Sequence, residues 1–214
     1  TTALRYPNPL HRTPGDIDFV VNPKDFKKTM EVLEKIGKVD HNLVHEHHGM
    51  AWVDGVTVEP HYKVHNYQCP STDYAMQEMF ASVFPSELSS ADMDGYAVPV
   101  FPPTFESVFL ISHMVNHVYE EGLGLRQVID YAMFLSSCAD KIDWLQHHEY
   151  LHQMRMERAW RIFTCICVDY LGMSLPSQVE AFSHQEKVWA AKMMTDIMRV
   201  GNFGRGEYVF HHRG

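Results

Sequence analysis

The sequence is short of the residues that would place it in several large functional classes. Four cysteines are scattered through 214 residues, too unevenly for a disulfide framework, and Cys165-Ile166-Cys167 lacks zinc-finger spacing. The expectation is reduced core thiols in a cytoplasmic protein. No apolar run reaches bilayer-spanning length and no signal peptide is read, so no membrane partner is expected. Basic residues are outnumbered, 18 against 27 acidic, giving a formal charge of −9. That balance argues against broad binding to nucleic acid or anionic membrane. Repeats and low-complexity tracts are missing, which disfavours solenoids and propellers. An initiator methionine is also lacking, and the tail is rich in Gly, Arg and His. The chain reads as a piece of something longer.

What is present is a folding chain, 45% hydrophobic and 12% aromatic, long enough for one large domain or two small ones. An apolar β-prone run at 17–21 reads as a strand. Asn22-Pro23 then opens a helix over 24–36, with Phe26, Met30, Val32 and Leu33 as its apolar stripe and Gly37 as its stop. Residues 38–45 and 50–54 read as a hairpin turning at His48-Gly49. Asp54-Gly55 is a further tight turn before a strand over 56–59. A helix over 72–83 and a short strand over 96–100 follow. This order predicts an α+β fold whose first domain, residues 1–101, holds a small mixed sheet with helices.

From Pro102 the texture is helical, and residues 102–214 are expected to form a second, helical domain. Thr104 is read as the cap of a helix running to Gly122. Further helices are predicted over 125–136, 143–153, 156–171 and 184–200. Met154, Met156, Met193, Met194 and Met198 read as core filler. Trp144, Trp160 and Trp189 read as packing between helices.

The chemistry concentrates at Gly15-Asp16-Ile17-Asp18. Residues i and i+2 of a strand share a face, so Asp16 and Asp18 project side by side and raise each other's pKa unless a cation sits between them. An all-oxygen site of this kind suits Mg²⁺. The plainer reading is a strand end whose carboxylates face water. Glu59 closes an apolar strand that can lie beside the first. Three such carboxylates can hold two ions roughly 3.5–4 Å apart, the arrangement for in-line nucleotidyl transfer.

These residues resemble the nucleotidyltransferase superfamily of the DNA polymerase β type. More narrowly, Tyr6-Pro7-Asn8-Pro9, Arg12, Gly15-Asp16-Ile17-Asp18 and the run Gly122-Leu123-Gly124-Leu125-Arg126-Gln127-Val128-Ile129-Asp130 resemble a bacterial group of uncharacterised nucleotidyltransferases. The resemblance implies a nucleotidyltransferase core followed by a helical region. It implies Asp16, Asp18 and Glu59 as catalytic metal ligands, Mg²⁺ (or Mn²⁺) as cofactor and an NTP as co-substrate. Arg12 and Gly15 become nucleotide-binding positions, Arg12 as a positive contact for phosphate, with a plain surface arginine as its alternative. The group's phosphate-cradling Gly element would fall at or before Thr1, so the core is expected to be trimmed at its N-terminus. A small-molecule acceptor suits the acidic chain, with a tRNA end or a protein side chain as alternatives.

Histidines offer further candidates. His61, two residues after Glu59, is expected to support that carboxylate or touch substrate. His113 and His117 share a helix face. They read as hydrogen-bonded core residues, as a metal site with Asp130, or, following the resemblance, as part of an acceptor pocket with His113, Arg126 and Asp130 as substrate residues. His45-Glu46-His47-His48 is ligand-rich, but a predicted hairpin tip scatters its side chains. His147-His148 and His211-His212 read as solvated. Two other functions compete with the transferase: a non-catalytic nucleotide- or partner-binding module of the same fold, and a His/Asp metal-dependent phosphohydrolase.

Overall fold

Asp54-Gly55 and Asp94-Gly95 each place two consecutive residues in the left-handed region, at φ 51 and 81 and at φ 54 and 85. That pairing defines the tight turn whose twist matches a β-hairpin, and each dipeptide closes one. The computed structural model describes residues 2–13, 15–40, 47–64, 67, 69–120 and 122–200. Within them the chain divides into two compact units, Leu10–Ala81 and a larger one of Ser82–Gly214 with the leading segment Thr1–Pro9. The architecture is α+β, with seven α-helices, a four-stranded mixed sheet and a two-stranded sheet among the described residues.

The smaller unit is built on strands β1 (Ile17–Val20), β2 (Lys38–Val39), β3 (Ala51–Val53) and β4 (Val56–His61), with helix α1 (Phe26–Ile36) and most of α2 (Pro70–Val83). The strand order is β1-β4-β3-β2, with β1 parallel to β4 and the other neighbours antiparallel. Asn22 accepts a hydrogen bond from the Lys24 amide, and a short 3-10 turn over Pro23–Asp25 precedes α1, which therefore starts later than predicted. Gly37 ends the helix by donating its amide to the Leu33 carbonyl. Leu33, Ala51 and Val58 form the core, with Met30, Val39 and Val53 packed on it. Val32 is exposed rather than part of the stripe.

In the larger unit, β5 (Ser89–Met93) and β6 (Tyr96–Val100) form a hairpin, followed by α3 (Pro103–Glu120), α4 (Leu125–Cys138), α5 (Trp144–Gln153), α6 (Glu157–Asp169) and α7 (His184–Val200). Its core takes Phe105, Val108, Ile111 and Met114 from α3, Tyr131, Phe134 and Leu135 from α4, and Phe163 and Ile166 from α6, all buried. Arg161 fastens α6 to α7, donating to both Glu186 oxygens at 2.6 and 3.1 Å and to the Glu180 and Ala181 carbonyls. That guanidinium is the first reason the Glu186 carboxyl is held down at about 2. No helix among the described residues is long and apolar enough to cross a membrane.

Several sequence expectations change here. Thr104 lies inside α3, and its hydroxyl accepts the Asp143 amide at 3.0 Å instead of capping its own helix. Asp143 caps α5 by accepting from the Gln146 amide. His147 is fully buried, not solvated, and lies 3.1 Å from the Ser107 hydroxyl. Trp189 and Met198 are exposed. Trp189 packs under the cations of Arg158 on α6 and Lys192 on its own helix. All four cysteines are free, three of them buried, but Cys69 is exposed. His211-His212 lies outside the described residues.

Candidate functional site

Gly15 and Asp16 lead the chain into β1, an edge strand, so its acidic face opens to solvent. The parallel ladder sets Asp18 directly beside Glu59 and Val20 beside His61. Residues in register on a pleated sheet share a face, as do residues two apart. Asp16, Asp18, Glu59 and His61 therefore belong to one face, while Val58 belongs to the other, where α1 covers it.

The groups converge closely. His61 Nε2 lies 3.0 Å from Asp18 Oδ1 and 3.8 Å from Glu59 Oε2. One ligand atom from each of Asp18, Glu59 and His61 lies within 4.8 Å of the other two. Asp18 is half exposed, whereas the Glu59 side chain is only 15% exposed and that of His61 11%. Burial pushes the Glu59 pKa up to about 7, the Asp18 and Asp16 charges push in the same direction, and His61 opposes them. The negative charges of Asp18 and Asp16 thus act on Glu59 against a smaller opposing effect of His61. An ionised carboxylate only accepts hydrogen bonds, so the hydrogen in the His61–Asp18 contact sits on His61 Nε2. A cation bound to the carboxylate oxygens would relieve this repulsion, and the donor set fits one.

His48 completes the picture. It was expected at a hairpin tip, yet it forms an antiparallel bridge with His61, and the Gly49 amide donates to the Pro60 carbonyl. The chain therefore runs on along β4 past β3, and His48-Gly49 is not a turn. Its Nε2 lies 3.5 Å from Glu59 Oε2. The reason for the glycine is close packing: a Cβ at Gly49 would meet Met30 Sδ at 2.8 Å and the Phe26 ring at 3.0 Å. His45 and Glu46 lie outside the described residues. Arg12 is half-buried, in the same unit as the acids.

The remaining candidates belong to the larger unit. Tyr6 donates its hydroxyl to Asp130 Oδ1 at 2.7 Å, which joins the leading Tyr-Pro segment to the Gly-Leu-Gly run that opens α4. Asp130 is buried and Arg126 half-buried. Beside them, Arg5 donates to Glu106 at 2.6 Å and lies 5.6 Å over the Phe134 ring. His113 and His117 meet through their Nε2 atoms at 3.0 Å, and His113 stacks on Phe109. The described residues of this unit contain no group of three metal-ligating side chains, so His113, His117 and Asp130 do not meet on a common centre. Sequence reasoning missed Arg5 and gave Tyr6 no role. Only its place in the same recurring pattern as Asp130 pointed to it.

A family model described as an uncharacterised nucleotidyltransferase matches residues 1–172. Among curated proteins and among solved structures no match is found.

Proposed function

This chain belongs to that nucleotidyltransferase family, and from this premise we propose that it transfers a nucleoside monophosphate from an NTP to an acceptor hydroxyl in a divalent-metal-dependent reaction. The observation that carries the reading is the in-register pairing of Asp18 with Glu59, which gathers Asp18, Glu59 and His61 on one face, with Asp16 leading into the same strand. Asp16, Asp18 and Glu59 would hold Mg²⁺ or Mn²⁺. Held there, it would supply the charge that lowers the pKa of an attacking hydroxyl and offsets that of the triphosphate and the departing pyrophosphate.

The chain's own groups do the rest. His61 donates its Nε2 hydrogen to Asp18 and fixes that carboxylate's orientation. Glu59, the third carboxylate of the cluster, would take the hydroxyl proton. The acceptor oxygen bonds to the α-phosphorus, the bond between the α-phosphorus and its bridging oxygen breaks, and pyrophosphate leaves. Arg12 supplies a positive contact for phosphate beside Gly15. His113, Arg126 and Asp130 of the larger unit stay candidate substrate residues on the family resemblance alone, and Asp130 accepts a hydrogen bond from Tyr6. The acidic chain favours a small-molecule acceptor over a tRNA end or a protein side chain.

One observation favours a second reading, a nucleotide- or partner-binding module without turnover. His61 already stands 3.0 Å from Asp18, where a catalytic cation would compete with it. The test incubates the protein with each labelled NTP, Mg²⁺ and a cell extract, and follows pyrophosphate and labelled product. Transfer that disappears in an Asp16→Asn/Asp18→Asn variant supports the enzyme. Nucleotide binding without pyrophosphate release supports the module, and unchanged labelling in the variant removes these acids from the mechanism.

A further inference from the structure

Three imidazoles meet beside the carboxylates in an arrangement the transferase chemistry does not use. His48 bridges to His61 across the antiparallel register, so both rings share a face. His47 sits at a bend whose carbonyl accepts the amides of Tyr62 and Lys63 at 3.0 and 3.3 Å. The bend brings its ring to the same side, 4.4 Å from His48 and 5.7 Å from His61 between centroids. The His48 and His61 rings are 4.9 Å apart. One ring nitrogen from each of the three lies within 4.8 Å of the others. His48 and His61 are both more than nine-tenths buried.

The tautomer of His61 follows from its neighbour. With the hydrogen on Nε2 facing Asp18, the neutral ring carries its lone pair on Nδ1. That atom is buried and has no hydrogen-bond partner among the described residues. A buried lone pair without a donor is unfavourable unless something electrophilic meets it. Histidines that ligate a metal characteristically donate their other N–H to a carboxylate, which fixes the ring and strengthens the donor nitrogen. Asp18 stands in that relation to His61, and the Glu59 carboxylate lies 3.5 Å from His48 Nε2.

We propose that His47, His48 and His61 form a nitrogen-donor site for one transition-metal ion of the Zn²⁺ class, distinct from the carboxylate site that would take Mg²⁺. Neutral imidazoles suit Zn²⁺, Co²⁺ and Ni²⁺, while Mg²⁺ prefers oxygen. Three protein ligands leave a fourth position for water or an incoming group. The ion fastens the strand segment 47–49 to β4 and holds the His61 N–H toward Asp18. The site rests on geometry alone and stands even if the transferase reading fails.

The test titrates the metal-free protein with Co²⁺ alone, without nucleotide. One Co²⁺ per chain with the intense visible bands of a four-coordinate nitrogen site is expected, displaced by Zn²⁺ and resistant to excess Mg²⁺. A His47→Ala/His48→Ala variant, shown folded by circular dichroism without metal, loses the four-coordinate bands because one ligand of three remains, whereas Asp16→Asn retains them. Absence of the bands in the unaltered protein, displacement by Mg²⁺, or unchanged bands in the double variant overturns the site. The Mg²⁺ competition decides the question on the unaltered chain even if the variant does not fold.

Discussion

Asp18 and Glu59 stand opposite each other on neighbouring parallel strands. The helix α1 and the strands β2 and β3 separate them along the chain. Parallel pairing matters here because in-register side chains emerge on the same face. A slip of one residue would send Glu59 toward α1 and bring Val58 to the acidic side. The apolar packing of Val58 on Leu33 and Ala51 thus fixes the carboxylate geometry from the opposite face.

On the proposed function, Glu59 makes cation binding sensitive to pH. Its pKa of about 7 without a cation means that Mg²⁺ must displace a proton below neutrality. Affinity is expected to rise as pH increases through 7, with up to one proton released per Glu59 carboxyl. Calorimetry at pH 6.5 in buffers of different ionisation enthalpy reads that release. Glu59→Gln abolishes it and lowers transfer by about a thousandfold or more. In the metal-free protein the sign for stability is opposite. A carboxyl raised above its usual 4.5 favours the fold at low pH, and that contribution is lost as pH rises through 7.

His147 gives the larger unit the reverse trend. Burial, aided by His148, pulls its pKa from 6.5 down to about 3. The fold holds it neutral, so this contribution is complete above pH 6.5 and declines as pH falls toward 3. Urea unfolding followed by helix signal should show a lower midpoint at pH 5 than at pH 7. A His147→Gln variant, which keeps a hydrogen-bonding group toward Ser107, should flatten the dependence. An unchanged slope in that variant would assign the acid sensitivity elsewhere.

Tyr6 and Arg5 anchor the leading segment. Tyr6→Phe removes a hydrogen bond to the buried Asp130 carboxylate and is expected to destabilise the larger unit by about 1.5–3 kcal/mol. Arg5→Ala leaves Glu106, whose pKa burial already raises against the pull of Arg5, without its cation. The loss should be comparable, about 1–3 kcal/mol, and larger at pH 8 than at pH 5, where Glu106 can protonate. Chemical unfolding at the two pH values measures both effects.

Gly37→Ala tests the join between α1 and the sheet. An added Cβ would stand 2.3 Å from the Trp52 carbonyl oxygen and 2.9 Å from Val53 Cγ2. Backbone cannot swing aside as a flexible side chain does, so the strand must shift. A loss of about 1–3 kcal/mol is expected. Gly49→Ala meets mainly Met30 and Phe26 side chains and should be the milder change in the same melting experiment.

Much of this was readable from residues. Gly15-Asp16-Ile17-Asp18 named the acidic strand, and Asp54-Gly55 located the turn that brings Glu59 back. Of the second hairpin only the strand over 96–100 is read: the same Asp-Gly signal at Asp94-Gly95 goes unused because β5 has alternation too weak to read as a strand, with Ser89 and Ser90 at its start. Gly49 misled because a glycine required by close packing looks, in sequence, like one required by a turn. That misreading hid the approach of His48 to His61. Burial of His147 was equally hidden, since its partners Ser107 and Trp160 are remote in the chain.

The Asp18–Glu59 pairing has a further effect on folding itself. A cation gripping both carboxylates ties together two points between which the chain has made a helix and two strands, much as a covalent cross-link would. The unfolded chain, with those ends apart, gains nothing from the ion, so the binding energy adds to the cohesion of the sheet. On the proposed function, removing the cation would therefore loosen the framework that positions the acids as well as stop the transfer.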